Sequence, residues 1–290
     1  MSNITHAVIP AAGFGTRLLP GSKSIPKEMF PIVNKPAIEY IATEIVDAGL
    51  STMVLITSKG KDSLVDYFDK NFELEQLLSN KKKGALLDSI LKFKYLNLVN
   101  IRQRDALGSG HAVLMAKESL NDNPFVVVLP DMIIKNGSYY LKKMIDLYNK
   151  TGKAVIALME VPYNEVSSYG IVKINVDDNV TNQDDIVNIV DMIEKPSIDD
   201  APSNLAIVGR YILPNEVLDD LSKGKPDAGG EIQLTDALKR LATTNNMIGV
   251  IIKDEIHDIG NPLGFVKANI SYCLENDLYK TELKNYILNL

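Results

Sequence analysis

The sequence is poor in the side chains that characterise several large classes of protein. Its 290 residues include a single cysteine, Cys273, so the chain can form neither an internal disulfide nor a zinc site built from cysteines. It has only three histidines, and none of them lies in a motif for a Ser-His-Asp or Cys-His nucleophile. These absences exclude a disulfide-stabilised fold, a cysteine zinc cluster and the common nucleophilic triads.

An excess of positive charge and a long apolar run are also missing. The formal net charge is −6, which argues against a general binder of nucleic acid or of an anionic membrane surface. A small phosphorylated ligand remains compatible with this charge, because it needs only local positive charge. No apolar run approaches the roughly 18 residues that span a bilayer, and the first residues, MSNITHAVIP, lack the pattern of a signal peptide. We therefore expect a soluble, cytoplasmic protein with neither a membrane nor a nucleic acid as its partner.

What is present is an ordinary globular composition, with 46% hydrophobic residues and a repeating pattern in the first half. Short β-branched runs alternate there with helix-like segments, which predicts an α/β fold with a doubly wound, mainly parallel (Rossmann-like) sheet. Such sheets bind ligands beyond the carboxyl ends of their strands. The predicted strands are 6–12, 52–57, 98–103 and 125–131, and the predicted helices are 35–49, 61–71, 110–120 and 138–152.

The second half of the chain has a more mixed pattern. No linker, low-complexity tract or internal repeat separates it from the first half, so we expect one continuous domain over residues 1–290 with a mixed sheet. The tract at 75–94 predicts a helical excursion with a solvated basic turn at 81–83. The further predicted strands are 154–161, 169–175, 189–195 and 205–213, and the further predicted helices are 231–244 and 262–276.

The loop after the first predicted strand, AAGFGTRLLPGSKSIPKE, has the composition of a phosphate site. Gly13 and Gly15 allow a tight turn that presents backbone N–H groups to an anion, and Arg17 and Lys27 add positive charge. Leu18 stands where a dinucleotide-binding loop has its third glycine, and no G-K-[ST] sequence follows, so neither an NAD site nor a Walker-type P-loop is indicated. By itself, the loop is explained equally well by a structural turn.

An extended set of motifs makes the loop more informative. Gly13-x-Gly15-Thr16-Arg17 is followed, after eight residues, by Pro26-Lys27. The later motifs, in order, are IRQ (101–103), LGSGHAV (107–113), LPD (129–131), IEKP (193–196), SNLAIVGRY (203–211), GGEIQLTDAL (229–238) and HDIGN (257–261). Together they resemble the sugar-nucleotide pyrophosphorylases, and among these the bacterial UTP–glucose-1-phosphate uridylyltransferases. The resemblance covers nearly the whole chain, and such an ordered series is far more specific than any single motif.

The resemblance implies a nucleotidyl transfer. The phosphate oxygen of glucose 1-phosphate would attack the α-phosphorus of UTP in line, giving UDP-glucose and pyrophosphate, with Mg²⁺ as cofactor. Such a reaction depends on charge neutralisation and alignment more than on a protein nucleophile. The resemblance also implies a nucleotide-binding half at roughly 1–135, a sugar-phosphate-binding half at 136–261 and a C-terminal helical segment at 262–290. Relatives tend to form dimers or tetramers, and this last segment is a candidate contact between copies.

The resemblance assigns the nucleotide end of the site to the glycine loop and its neighbours. Lys27 would contact phosphate near the reacting centre, and Arg17 would bind the departing pyrophosphate. Gln103 ends a predicted strand, and its amide carries the donor and the acceptor that match N3–H and O4 of uracil. The implied nucleotide-binding residues are Ala11, Ala12, Gly13, Gly15, Thr16, Glu28, Gln103 and Gly108.

A metal site is expected at Asp131. This residue closes a buried apolar run, and a carboxylate at the carboxyl end of a parallel strand is well placed to hold a metal over the ligand crevice. A turn aspartate is the plain alternative if the position is considered alone. The resemblance implies that Asp131 binds Mg²⁺ and that Asp258 is a second metal-contacting carboxylate.

The sugar end is implied by residues of the second half. By resemblance, Glu194 accepts hydrogen bonds from glucose hydroxyls and Lys195 binds the sugar phosphate. Gly170 and Gly209 would let the backbone approach the sugar, although a glycine within a strand also commonly marks a bulge. The implied catalytic residues are therefore Arg17, Lys27, Asp131 and Lys195.

Three other functions are compatible with the pattern to different degrees. A thymidylyltransferase or another sugar-1-phosphate nucleotidyltransferase would share the fold and most motifs. A non-catalytic regulatory relative would be expected to have lost part of the GTR step or the metal site, and neither loss is seen. A nucleotide-sugar-dependent glycosyltransferase would usually carry a D-x-D metal motif, whereas the pairs Asp184-Asp185 and Asp199-Asp200 lie in polar loops that follow no apolar strand.

Overall fold

The computed structural model describes residues 4–175, 185–224, 226–227, 229–244 and 246–289. The strands are β1 (His6–Pro10), β2 (Pro31–Ile32), β3 (Lys35–Pro36), β4 (Thr52–Thr57), β5 (Asn97–Arg102), β6 (Phe125–Val128), β7 (Met132–Ile134), β8 (Ala154–Glu160), β9 (Gly170–Asn175), β10 (Ile186–Glu194), β11 (Leu205–Leu213), β12 (Met247–Ile251) and β13 (Ile256–Asp258). The α-helices are α1 (Ala37–Asp47), α2 (Asp62–Asp66), α3 (Phe72–Asn80), α4 (Gly84–Ile90), α5 (Ser109–Leu114), α6 (Gly137–Thr151), α7 (Val217–Ser222), α8 (Leu234–Thr243), α9 (Pro262–Glu275) and α10 (Lys280–Leu288).

Most of the strands join one large mixed sheet in the order β5-β4-β1-β6-β11-β8-β12-β10-β9. The pairs β5–β4, β4–β1 and β1–β6 are parallel, as the first-half pattern predicted, and in the second half β8 and β12 are also parallel. The prediction of a mainly parallel sheet holds for that half only, because β11 runs antiparallel to β6 and β8, and β10 runs antiparallel to β12 and β9. A continuous apolar run indicates burial on both faces of a sheet but does not specify the direction of the strand.

Two large apolar clusters cover the two faces of the sheet, as a doubly wound fold requires. Ala7 and Ile9 of β1 face the cluster that includes α1 and α6, while Val8 of the same strand faces the cluster that includes α5, α7 and α8. This alternation follows from the two-residue period of a strand. The α/β fold with helices on both faces of a mixed sheet is therefore confirmed.

Differences from the predicted elements are concentrated at their ends. The predicted helix 61–71 is shortened to α2, and the predicted helix 110–120 divides into α5 and a 3₁₀ turn at Lys117–Ser119. The predicted strand 125–131 stops at Val128, two residues before Pro130, which has no N–H to continue the ladder. The excursion at 75–94 is confirmed as α3 and α4. Sequence analysis did not identify β7, β12, β13 or α7.

The topology creates a crevice beside β6. The loops that follow β1, β5 and β6 all leave from the carboxyl ends of parallel strands and so lie at one edge of the sheet. Glu194, which ends β10, pairs with Gly170, which begins β9. None of the helices in the described ranges combines the length and the apolar composition needed to cross a membrane.

Candidate active site

Two adjoining cavities lie along this crevice. The glycine-loop cavity, of about 390 Å³, lies between the loop after β1, the loop after β6 and the start of α5. The Glu194 cavity, of about 260 Å³, lies between the loop after β6, the end of β10 and the bulged part of β11. The two cavities share three lining residues, Ser109, Leu129 and Asp131. Asp131, a predicted metal ligand, is therefore the charged group at the junction.

The predicted nucleotide residues largely converge on the glycine-loop cavity. It is lined by Ala12, Gly13, Thr16, Lys27, Gln103 and Gly108, six residues separated by up to 96 positions in the sequence. Gly108 has φ +94°, and a Cβ there would lie 2.7 Å from the carbonyl oxygen of Ile232. Only glycine fits at this position, where the chain enters α5.

Gly15 shapes the loop without lining the cavity. Its φ is +65°, and a Cβ at this position would lie 3.3 Å from Cβ of Ser22 and 3.5 Å from Cβ of Lys27. The Ser22 hydroxyl donates to the Gly15 carbonyl at 2.8 Å. Ala11 is also buried outside the cavity, and its N–H donates to the carbonyl of Ile56. Gly15 and Ala11, both predicted nucleotide-binding residues, therefore stabilise the loop through contacts outside the cavity.

A cluster of opposite charges occupies the junction of the cavities. Nζ of Lys27 donates to Oδ2 of Asp131 at 2.6 Å. The guanidinium of Arg17 lies 3.9 Å from Asp131 and 3.7 Å from Asp258. The two aspartates are brought together by the pairing of β7 with β13, and the Ile259 N–H donates to the Asp131 carbonyl at 2.9 Å. The four predicted side chains thus meet at one point.

The cluster keeps its members charged. Burial alone would lower the pKa of Lys27, but the negative charges of Asp131 and Glu28 outweigh it and raise that pKa above its ordinary value. Burial alone would raise the pKa of Asp131, but the positive charges of Lys27 and Arg17 outweigh it and lower that pKa. Around neutral pH, Asp131 is a carboxylate beside an ammonium group.

The two aspartates form a donor set that suits a hard divalent cation. A Cβ built on Gly260 would lie 2.8 Å from Nη2 of Arg17, 3.0 Å from Oδ1 of Asp258 and 3.1 Å from Oδ2 of Asp131, so this glycine leaves room for both carboxylates and for the guanidinium between them. Within the described residues, no group of three or more His, Cys, Asp or Glu side chains forms a metal site. A pair of carboxylates fits Mg²⁺, which usually takes one or two from the protein and the rest from water and substrate phosphates.

The Glu194 cavity gathers polar groups from the second half of the chain. Oε2 of Glu194 accepts a hydrogen bond from the Thr235 hydroxyl at 3.2 Å, and a Cβ on Gly170 would lie 3.0 Å from the same oxygen. Gly209 lines the cavity as predicted, but its φ of +71° belongs to an irregularity in the β11–β8 pairing, and a Cβ there would lie 2.7 Å from Cβ of Leu129. Position 209 therefore requires glycine, because the bulge in β11 packs against the Leu129 side chain.

Two predicted residues have surroundings that differ from the expected contacts. Glu28 lines neither cavity; it is 1% exposed, and its carboxylate accepts hydrogen bonds from Nζ of Lys61 at 2.9 and 3.1 Å. The Lys195 side chain is 64% exposed, with Nζ 3.7 Å from Glu194. The backbone of Lys195 has φ +46°, which a residue with a side chain rarely adopts.

Sequence analysis missed several residues of this region. Burial lowers the pKa of Lys61, whose partner Glu28 lies 33 residues away, and no local motif reveals such a pair. Tyr169 and Tyr211 line the Glu194 cavity but resemble ordinary strand-end and core tyrosines in the sequence. Gln233 and Thr235 also line the Glu194 cavity. Two residues of the GGEIQLTDAL motif, for which sequence analysis proposed no contact, therefore lie at this cavity.

Comparison with known proteins agrees with this geometry. Residues 6–274 match the Nucleotidyl transferase family. The chain belongs to this family. The UTP–glucose-1-phosphate uridylyltransferase of Streptococcus pyogenes is 42% identical over 294 residues, which cover 100% of this chain and 95% of the relative. The resemblance drawn from the motifs is thereby confirmed.

Solved structures of nucleotidyl transferases match the whole fold. A UTP-bound UGPase from Acinetobacter baumannii has 41% sequence identity and a TM-score of 0.89, with 99% of this chain and 100% of that chain covered. A UDP-glucose pyrophosphorylase complexed with UDP-glucose has 37% identity and a TM-score of 0.84, with 94% and 100% of the two chains covered. This nucleotidyl transferase is therefore an enzyme of the sugar-nucleotide-forming type.

Proposed function

We propose that this chain transfers UMP from UTP to glucose 1-phosphate, giving UDP-glucose and pyrophosphate. The observation that carries the proposal is the position of Asp131, which lines both cavities and is held between Lys27 and Arg17. A two-substrate transfer needs one site for each substrate and a charged junction where they react. The names of the relatives and the bound molecules in the solved structures support the same reaction.

The glycine-loop cavity is the proposed UTP site. Gly13 and Thr16 would present backbone and hydroxyl donors to the triphosphate. Gln103 is buried, and its amide nitrogen lies 2.8 Å from Nδ1 of His111 and 3.3 Å from the Gly108 carbonyl, so its amide oxygen is the proposed acceptor for N3–H of uracil. Glu28 would support the UTP site from outside the cavity, where its carboxylate is bound by Lys61. Ala11 and Ala12 would contribute through their backbone groups.

Lys27 and Arg17 are the proposed electrostatic catalysts. Lys27 would stabilise negative charge on the α-phosphate as the new oxygen–phosphorus bond forms and the bond to pyrophosphate breaks, and Arg17 would bind the departing pyrophosphate. Asp131 and Asp258 would hold Mg²⁺, which when bound neutralises charge on the phosphate oxygens. No protein nucleophile is needed, because the sugar phosphate supplies the attacking oxygen.

The Glu194 cavity is the proposed site for glucose 1-phosphate. Glu194 would accept hydrogen bonds from sugar hydroxyls, and Thr235 holds one of its oxygens. Lys195 would bind the sugar phosphate. Its exposed side chain is free to reach the phosphate, and its left-handed backbone fixes the direction in which that side chain leaves the end of β10. Gly170 would leave room for the sugar ring beside Glu194.

The test is pyrophosphate release by the purified chain with UTP and glucose 1-phosphate, with and without Mg²⁺. We expect release that requires both substrates and the metal. A competition between UTP and dTTP follows in the same assay, and a preference for dTTP would replace the assignment by a thymidylyltransferase. A chain that binds UTP but forms no UDP-glucose would instead be a regulatory relative, and consumption of added UDP-glucose in the absence of pyrophosphate would indicate a glycosyltransferase.

We further propose that the chain works in the cytoplasm as a dimer or tetramer, with residues 262–290 as the contact between copies. The nucleotide-binding half would end at about residue 135, and the sugar-phosphate-binding half at about residue 261. Exposed apolar side chains on α9 and α10 and in their connection support this contact; they are Leu263, Val266, Leu278, Tyr286 and Leu288. Light scattering of the full chain and of Leu263→Glu would test it. We expect a smaller species for the variant.

A further inference from the structure

Arg210, in β11, is a buried charged residue to which sequence analysis gave no role. It is 1% exposed, and each of its five guanidinium N–H groups has an acceptor. Nε and Nη2 donate to the two carboxylate oxygens of Glu44 at 2.7 and 2.9 Å. Nη1 donates to the carbonyls of Leu129 at 3.1 Å and Gly209 at 3.3 Å, and Nη2 donates to the carbonyl of Met132 at 2.7 Å.

Two of these acceptors lie on either side of Asp131. Leu129 and Met132 bracket the Pro130–Asp131 step, which connects β6 to β7 outside the main sheet. The Leu129 N–H donates to the Gly209 carbonyl at 2.8 Å, and the Asp131 carbonyl accepts from the N–H of Ile259, next to Asp258. The buried guanidinium of Arg210 is therefore hydrogen-bonded to both ends of the segment that carries Asp131.

Glu44 fixes the guanidinium in turn. It is 6% exposed in the middle of α1, and its bidentate contact sets the plane of the Arg210 fork. The start of α6 closes against the same carboxylate, since a Cβ on Gly137 would lie 2.5 Å from Oε2 of Glu44. The orientation of Arg210 is thus set by Glu44 of α1, with the start of α6 packed against the same carboxylate, and neither helix contributes a lining residue to either cavity.

We propose that Arg210, oriented by Glu44, is a positioning residue that holds Asp131 at the distance from Lys27 and Asp258 required for metal-dependent transfer. The inference rests on the proposed function. A displacement of about 1 Å at a reacting group can cost on the order of 100-fold in rate, and Arg210 joins the two ends of the segment that carries Asp131. Loosening the fork should therefore slow the reaction even when the fold persists.

A purely structural role predicts a different result, and this difference makes the proposal testable. Replacing a buried ion pair by apolar side chains of similar volume is often neutral or stabilising. The double variant Glu44→Leu with Arg210→Met removes both charges together, so that neither charge is left unpaired, although the carbonyls of Leu129 and Met132 lose the Arg210 donor. Arg210→Lys keeps the positive charge but loses the planar fork, and Glu44→Gln keeps the shape of the orienting side chain.

Thermal unfolding and steady-state kinetics are measured for these variants and for Leu120→Ala. Leu120 is fully buried, precedes β6 in the chain and lines neither cavity, so it controls for a general loss of stability. We expect the double variant to fold with a somewhat lower Tm, because the Leu129 and Met132 carbonyls lose a donor, and to have kcat at least tenfold lower at temperatures well below that Tm. Leu120→Ala should have a lower Tm but a nearly unchanged kcat at temperatures well below it.

A second readout does not depend on turnover. In the wild type, adding Mg²⁺ to the UTP complex should raise Tm further, because the metal binds the folded protein. If the double variant binds metal and nucleotide tenfold more weakly, that increment falls to roughly half at ligand near 100 times the wild-type Kd. The increment should persist in Leu120→Ala, since its aspartates are undisturbed.

The outcomes separate the two proposals. A wild-type chain that releases no pyrophosphate refutes the proposed function, whatever the variants do. An active wild type together with a folded double variant of wild-type kcat and an unchanged Mg²⁺ increment refutes the positioning role. If the double variant, Arg210→Lys and Glu44→Gln all fail to fold, the pair is a requirement of the fold and the proposal is equally overturned.

Discussion

Asp131→Asn should nearly abolish turnover while preserving the fold. The substitution keeps the size of the side chain but removes the charge that Lys27 contacts at 2.6 Å and that Arg17 approaches at 3.9 Å. It also removes one of the two carboxylates that lie beside Gly260. Both changes act at the junction of the cavities, where the transferred phosphorus is expected to lie.

The magnitude follows from the burial and charge of the pair. Loss of one preorganised electrostatic group lowers kcat by about 100- to 1000-fold, or roughly 2.7–4 kcal/mol, and loss of a metal ligand adds to this. The Lys27 and Asp131 side chains are 17% and 20% exposed. The destabilisation should therefore fall between that of a surface pair, at most about 1 kcal/mol, and that of a broken buried pair, about 3–5 kcal/mol.

The assay is pyrophosphate release at saturating UTP and glucose 1-phosphate over a range of Mg²⁺ concentrations. Asp219→Asn is the matched control, because it makes the same chemical change at an exposed ion pair with Lys117, 2.8 Å long and outside both cavities. We expect the control to keep wild-type kcat and Mg²⁺ dependence. Retention of a rate within tenfold of wild type by Asp131→Asn would refute the placement of metal and phosphate at this carboxylate.

Three further changes test other parts of the site. Lys195→Ala should raise KM for glucose 1-phosphate much more than KM for UTP, and equal effects would move this side chain away from the sugar phosphate. Gly108→Ala places a Cβ on a residue with φ +94° that lies close to a backbone carbonyl, and it should weaken UTP binding at least tenfold in calorimetry. Gly152→Ala is the control: φ is +69° but the surrounding space is open, so it should cost about 1 kcal/mol of stability and leave UTP binding intact. The pKa of Lys27 is raised above 10.5 and that of Asp131 is lowered below 3.8. The ion pair therefore contributes its full stabilisation of the folded state at every pH above the unfolded-state pKa of the carboxyl group and below that of the ammonium group. The stability difference between wild type and Asp131→Asn, from thermal unfolding, should therefore be constant from about pH 5 to 9, and a slope within that range would show that the pair titrates there.

The strands of the first half and the phosphate loop are determined by local sequence. A β-branched run such as FVVV has few alternatives to a buried strand, and the glycines after β1 permit backbone conformations that other residues avoid. The order of motifs along the chain identified the family without any knowledge of distance, and it drew attention to Lys27, Asp131 and Glu194, which the structure brings to the two cavities. These signals are short in range, and the sequence displays them directly.

Which residues touch was decided by the tertiary structure. Lys27 and Asp131 are 104 residues apart, and Glu44 and Arg210 are 166 apart. No periodicity links such positions. The loops that carry Lys27 and Asp131 meet because β1 pairs with β6, and Arg210 lies beside them because β11 runs antiparallel to β6. Glu28 meets Lys61 because the turn at Lys27–Met29 packs against α2. Residue types and local conformation were therefore readable from the sequence, whereas the ion pairs that align the site depend on strand direction and register, which are set by the packing of the whole chain.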